Sequence, residues 1–163
     1  MKRILSVNEA IKIINTLKRN RQTIVLAGGC FDILHLGHVK FLETAKQNGE
    51  VLFVFVESDK AVRKIKGKGR PINTQQERAQ VLSSIRAVDY VVKIPFLKTN
   101  KEYDNLVVKL QPSILAAVKG SGQMEHNLRQ AKLTGAKIFE IIEKIPNRST
   151  SKIAGIIIKE NQL

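Results

Sequence analysis

Cysteine, tryptophan, proline and acidic residues are the scarce classes in this 163-residue chain, and each shortage narrows the reading. Cys30 is the single cysteine, which excludes an internal disulfide framework and a cysteine-based zinc site and fits a reducing, cytoplasmic setting. Aromatics make up 5% of the residues and tryptophan is missing, leaving few platforms on which nucleic-acid bases can stack. No stretch approaches the ~20 apolar residues of a membrane span, and the first residues show helical spacing rather than a signal-peptide block. A soluble, unprocessed protein is expected. The 14 acidic residues face 28 Lys and Arg, a formal charge of +14, so anionic partners are expected: nucleotides, phosphorylated metabolites, nucleic acid or a membrane surface. Any single lysine can equally be a solvated helix face. With no repeat and no long linker, the chain reads as one domain over 1–163, a leading helix over 1–20 and a core over 21–163.

Ser6 and Glu9 have capping-box spacing, and Ala10, Ile11, Ile14 and Leu17 recur on one helical face. Strands are expected over 23–27, 51–56, 90–94, 114–118 and 137–142. The run VLFVFV at 51–56 is the clearest, being continuously apolar as in a strand covered on both faces. Helices are expected over 36–47, from Asp59 into a loop KIKGKGRP, after an Asn73 or Thr74 cap, over 101–110, over 125–133, and from about Ser149. Strands alternating with helices predict an α/β fold: a single Rossmann-like domain with a five-stranded parallel sheet and helices on both faces. Ligands of such sheets bind outside the carboxyl ends of the strands.

The segment Gly28-Gly29-Cys30-Phe31-Asp32-Ile33-Leu34-His35-Leu36-Gly37-His38 falls between the first predicted strand and the next helix. A helix N-terminus presents free N–H groups and partial positive charge, a setting prepared for phosphate. His35 and His38, three apart, can face one ligand, and Gly37 removes a side chain that would block close approach. Imidazole donors there can stabilise charge developing on phosphoryl oxygens. Two histidines without a third protein ligand fit structural zinc poorly, whereas Mg²⁺ carried by a nucleotide fits.

The stretch GGCFDILHLGHVKFLETAK resembles the signature of the cytidylyltransferase-like nucleotidyltransferases, whose HxGH imidazoles act at the α-phosphate. KGKGRPIN at 66–73, Arg78, VLSSIRAVDYVV at 81–92 and NRSTSKI at 147–153 are similar to the heptose 1-phosphate adenylyltransferases within that family. The resemblance implies a nucleotidyltransferase fold of the HUP type, ATP or CTP and a small phosphorylated substrate as ligands, Mg²⁺ entering with the nucleotide, and a possible homodimer. Catalysis falls on His35, His38 and Lys66. Nucleotide contacts fall on Gly29, Cys30, Phe31, Asp32, Gly37, Arg70, Arg78, Lys119, Gly120, Arg148, Ser149, Thr150 and Ser151.

These segments also carry physical readings. Lys66, Lys68 and Arg70 lie on a glycine-containing loop able to close over a triphosphate and neutralise leaving pyrophosphate, or one merely solvated. Arg78 is a bidentate phosphate ligand or pairs with Glu77 or Asp89. A hydroxyl among 149–151 caps the last helix and can hold phosphate there. Two departures bear on substrates. After Lys119-Gly120 the heptose enzymes usually continue Gly-Asp-Tyr, where this chain has Ser121-Gly122-Gln123-Met124 and so lacks a carboxylate for sugar hydroxyls. Ile145 stands where the glycerol 3-phosphate cytidylyltransferases carry an arginine, which favours ATP over CTP. The expected reaction is AMP transfer from ATP to a heptose 1-phosphate-like sugar phosphate. CTP with an alcohol phosphate such as glycerol 3-phosphate is the alternative, and a non-catalytic nucleic-acid-binding domain the rival of another class.

Overall fold

The computed structural model describes residues 3–141. Its order is β1 (Ile4–Leu5), α1 (Val7–Arg19), β2 (Ile24–Gly29), α2 (Leu36–Lys46), β3 (Val51–Val56), α3 (Asp59–Lys66), α4 (Gln75–Ser83), β4 (Tyr90–Lys93), α5 (Asn100–Leu110), β5 (Ile114–Val118), α6 (Met124–Thr134) and β6 (Lys137–Ile141). The strands form one sheet in the order β1-β4-β3-β2-β5-β6, all neighbours parallel.

Six strands therefore replace the five expected. The extra one, β1, is a two-residue edge that pairs Ile4 with Val91 and Leu5 with Val92, anchored by Val91 N–H donating to the Arg3 carbonyl (2.8 Å). Two residues carry no alternation, so only the neighbouring strand defines it. The five expected strands are present, β2 running two residues further, through both glycines.

Helix starts follow local chemistry. Ser6–Glu9, Thr74–Glu77 and Thr99–Glu102 each close a capping box, so Thr74 and not Asn73 caps α4. Ser58, not Asp59, caps α3, and that helix continues through Lys66, making the first part of the expected loop helical. The expected final helix from Ser149 lies outside the described residues.

The core has two layers, one on each face of the sheet. α1 and α5 cover one face, with Ala10, Ile14, Leu106 and Leu110 against Leu26, Phe53 and Leu115. α2 and α4 cover the other, with Leu42, Ala45, Ala79 and Leu82 against Val25, Val54 and Val91. All six residues of β3 are buried, as a central parallel strand requires. The first crossover from β2 leads to β3 on one side, and β5 lies on the other. The crevice between the carboxyl ends of β2 and β5 is thus the topological switch point where such sheets receive ligands.

Candidate active site

β2 delivers Gly28 and Gly29 to that crevice, and the chain then turns through Phe31 at φ 47 into α2. Phe31 is buried beneath the turn, and a Cβ on Gly29 would stand 3.0 Å from its ring, so glycine at 29 permits the ring to fold back. His35 is the N-cap of α2, its Nδ1 accepting from the Gly37 N–H at 3.1 Å. An accepting Nδ1 puts the ring proton of neutral His35 on Nε2. The His35 and His38 rings stack at 3.9 Å, and Phe31 meets His38 edge-on at 5.3 Å. Gly37 serves this arrangement directly: a Cβ there would stand 3.0 Å from His35 Cε1 and Nδ1. The glycine that the sequence reading assigns to ligand approach first makes room for the histidine itself.

His38 is pushed down to about 4 by burial, then by His35 and Lys66, so it is neutral at physiological pH. Its Nδ1 is buried without a hydrogen-bond partner among the described residues, as is Arg70 Nη2. Unpartnered buried nitrogens are uncommon, and a ligand is a standard way to satisfy them. Lys66 ends α3, exposed and close enough to depress the His38 basicity. Cys30 is half-buried and its thiol is pushed up by burial, a poor nucleophile.

Two nominated contacts are engaged by the protein itself. Asp32 is 2% exposed and accepts from Arg70 Nε, from Ile72 N–H (2.7 Å) and from Asn73 N–H (3.4 Å), tying the 70–73 loop to the histidine segment. Its carboxylate is occupied by the protein, and Arg70 is held by it. Arg78, read as a phosphate ligand or a partner of Glu77 or Asp89, is 1% exposed and pairs with neither of those carboxylates. It donates to the carbonyls of Cys30, Asn73 (3.0 Å) and Glu57 (2.7 Å) and to Asp59 Oδ1 (2.7 Å), pinning the ends of β2 and β3 to α3 and α4. Glu77 is committed to the Thr74 capping box, and Asp89 to Lys46 (2.6 Å) and Leu52 N–H (2.7 Å). Lys119 and Gly120 leave β5 exposed, Gly120 at φ 66. Arg148, Ser149, Thr150 and Ser151 lie outside the described residues.

A cavity of about 610 Å³ opens beside Gly28 and Gly29, between the carboxyl ends of β2, β3 and β5 and helices α3, α5 and α6. Of the nominated residues that are described, only Gly29 lines it, and neither His35 nor His38 does. Sequence reasoning missed its polar groups. Glu57, 8% exposed, accepts from the Tyr103 hydroxyl at 2.8 Å, and burial pushes its carboxyl up while the tyrosine is pushed up as well. His126 lies 3.1 Å from Arg129 Nη2, and Arg129 makes a two-pronged pair with Asp104 at 2.7 and 3.0 Å. A guanidinium only donates, so His126 Nδ1 accepts and its proton resides on Nε2. One signal pointed to Glu57: it is the first polar residue after the apolar run of β3, at the strand end where ligands bind.

A parallel sheet with a glycine turn, a helix N-terminus and paired imidazoles at its switch point defines an α/β domain of the phosphate-handling class. Residues 26–160 match the cytidylyltransferase-like family model, and the chain belongs to that family. It is accordingly a nucleotidyltransferase-like domain. It is 40% identical over 151 residues to the bifunctional protein HldE of Wolinella succinogenes, covering 93% of this chain, and 40% identical over 142 residues to that of Helicobacter pylori, covering 87%. The chain spans about 30% of the length of these relatives. Among solved structures, the lipopolysaccharide core biosynthesis protein of Thermoplasma volcanium superposes with a TM-score of 0.62 at 28% identity, covering 75% of this chain and 98% of that one. Pantothenate synthetase of Thermus thermophilus, at 13% identity and a TM-score of 0.66 over 94% of this chain and 67% of that one, shares the fold.

Proposed function

We propose that this domain transfers AMP from ATP to a sugar phosphate of the heptose 1-phosphate type and releases pyrophosphate. The observation that carries the reading is the stacked His35–His38 pair at the N-terminus of α2, with one ring's tautomer set by Gly37 and the other ring neutral and holding an unpartnered nitrogen. The KGKGRPIN segment, similar to that of the heptose 1-phosphate adenylyltransferases, favours ATP, and the likeness to a lipopolysaccharide core biosynthesis protein favours a sugar acceptor.

In the proposed step an oxygen of the acceptor phosphate attacks the α-phosphorus in line. The new P–O bond forms as the bond from α-phosphorus to the β-bridging oxygen breaks, and pyrophosphate departs with its electron pair. Neither a covalent enzyme intermediate nor a strong base is required, so positioning and charge stabilisation supply the rate. His35, through Nε2–H, and His38 donate to the phosphoryl oxygens, and Lys66 supplies positive charge from the end of α3. Among the described residues no group of three His, Cys, Asp or Glu is arranged to hold a metal. On this reading Mg²⁺ enters with the nucleotide and is held by its phosphates.

The test is pyrophosphate release with ATP or CTP against heptose 1-phosphate, glycerol 3-phosphate, FMN and 4′-phosphopantetheine. Release with ATP and heptose 1-phosphate, reduced roughly 10²–10³-fold in His38→Ala, is the expected result. Wild-type rates in that variant exclude the histidine mechanism, and release with another pair reassigns the substrate.

A further inference from the structure

We propose that the cavity beside the β2–β5 crevice seats the acceptor, and that Glu57, oriented by the Tyr103 hydroxyl, receives the hydroxyl groups of an anionic polyol phosphate there. The proposal rests on the nucleotidyltransferase reading and adds to it the acceptor half of the site.

Glu57 follows six buried apolar residues and is itself 92% buried, yet it lines an open cavity of about 610 Å³, room enough for a phosphorylated sugar. A carboxylate offers about four lone-pair sites, and among the described residues this one accepts a single hydrogen bond, from Tyr103 at 2.8 Å. Arg78, the cation beside it, donates to the Glu57 backbone carbonyl and directs its remaining donors to Asp59, Cys30 and Asn73. A buried carboxyl with so few partners is costly, consistent with the upward push on its pKa, and neutral O–H donors from a ligand relieve that cost. The ligand's own charge follows from the rim. Lys64 and Lys98 line the same cavity, so a cationic occupant is disfavoured and a phosphate-bearing one is matched.

The position also answers a gap in the sequence. The 121–124 segment lacks the carboxylate that sugar hydroxyls would use, and Gly122 and Gln123 of that segment line this same cavity. The carboxylate comes instead from the end of β3. Phe55, Ile94 and Leu115 supply apolar wall for the C–H face of a sugar ring. Tyr103 is a positioning residue: its hydroxyl holds one carboxyl oxygen and leaves the other for the ligand.

Glu57→Gln and Tyr103→Phe are compared with wild type in two assays: pyrophosphate release with ATP and heptose 1-phosphate, and direct calorimetric titration of heptose 1-phosphate without nucleotide. Glu57→Gln is expected to raise both KM and Kd for the sugar phosphate about tenfold or more, and Tyr103→Phe about threefold. The Kd for a non-hydrolysable ATP analogue should move less than about twofold in either variant. If Glu57→Gln does not fold, Tyr103→Phe decides alone. Wild-type acceptor affinity in both variants overturns the assignment while leaving the transferase reading intact. No pyrophosphate from the wild type with any acceptor overturns the transferase reading instead. In that event Glu57-dependent sugar phosphate binding still supports the cavity assignment, and no binding overturns it too.

Discussion

Protonation of His38 is the most sensitive probe of the site. Its pKa is pushed down from an ordinary 6.5 to about 4, worth about 3 kcal/mol, and burial is the largest cause. Because the folded state disfavours the proton, this group's contribution to stability is fully present above about pH 6.5. It is lost as pH falls from 6.5 towards 4, where the unfolded chain binds a proton that the folded chain refuses. At pH 7 only about one molecule in a thousand carries the imidazolium, so the free protein meets its ligand with a neutral ring. A bound triphosphate adds negative charge beside the ring and opposes Lys66, which raises the pKa. Titrating the imidazole by NMR should give a midpoint near 4 in the free protein, rising by about a unit or more with a non-hydrolysable ATP analogue. Urea unfolding of wild type and His38→Gln should diverge in the pH 6.5 to 4 window, the variant being flatter. A free-protein midpoint near 6.5 refutes the burial argument, and a midpoint unmoved by the analogue refutes placing the phosphates at His38.

Arg78→Ala should lose about 3–5 kcal/mol in urea unfolding, since it strips donors from three carbonyls and leaves Asp59 unpaired. Loss of activity with unchanged stability would restore Arg78 as a ligand. Gly37→Ala should reduce turnover roughly tenfold to a hundredfold while leaving stability level or up to about 1 kcal/mol higher, because the Cβ displaces the His35 ring although alanine suits the helix better. Full turnover with that alanine would show that the His35 position is unimportant. Thr99→Ala should cost about 1 kcal/mol by losing the α5 capping box, read by thermal or urea unfolding.

Patterns confined to one element were legible in the sequence. β3 announces itself by six apolar residues in a row, and the Ser6 capping box by its glutamate three residues on, whereas the boxes at Thr74 and Thr99 emerged only in the structure. The HxGH segment was readable because strand, glycines and helix start are adjacent in the chain. The roles of Arg78, Asp32 and Glu57 were not, because each is decided by partners far away in sequence. Arg78 meets Cys30 across 48 positions, Arg70 meets Asp32 across 38, and Tyr103 meets Glu57 across 46. A buried arginine on a helix and a phosphate-binding arginine look identical until burial is known, and here the 1% exposure separates them. β1 escaped for a related reason: only its register against β4 makes two residues a strand.

The division between arginines paired with the protein's own carboxylates and lysines left exposed explains how a chain of charge +14 can keep a compact fold. Arg70 and Arg78, planar donors with fixed geometry, are fastened to Asp32 and Asp59, and together they join the histidine turn to the 70–73 loop and the ends of β2 and β3. Arginine suits that work because its five N–H groups can satisfy several carbonyls at once from one buried position. Lys66, Lys68 and Lys119 are exposed and stand beside the glycines at φ 94, 82 and 66, where the chain can shift at little conformational cost. Lysine suits a contact that must form on binding and release with product, being a mobile point charge that water readily solvates when the ligand leaves. On the proposed transferase reading this distribution suits phosphoryl transfer: the imidazoles are to stay in place while exposed, movable lysines receive pyrophosphate and let it go.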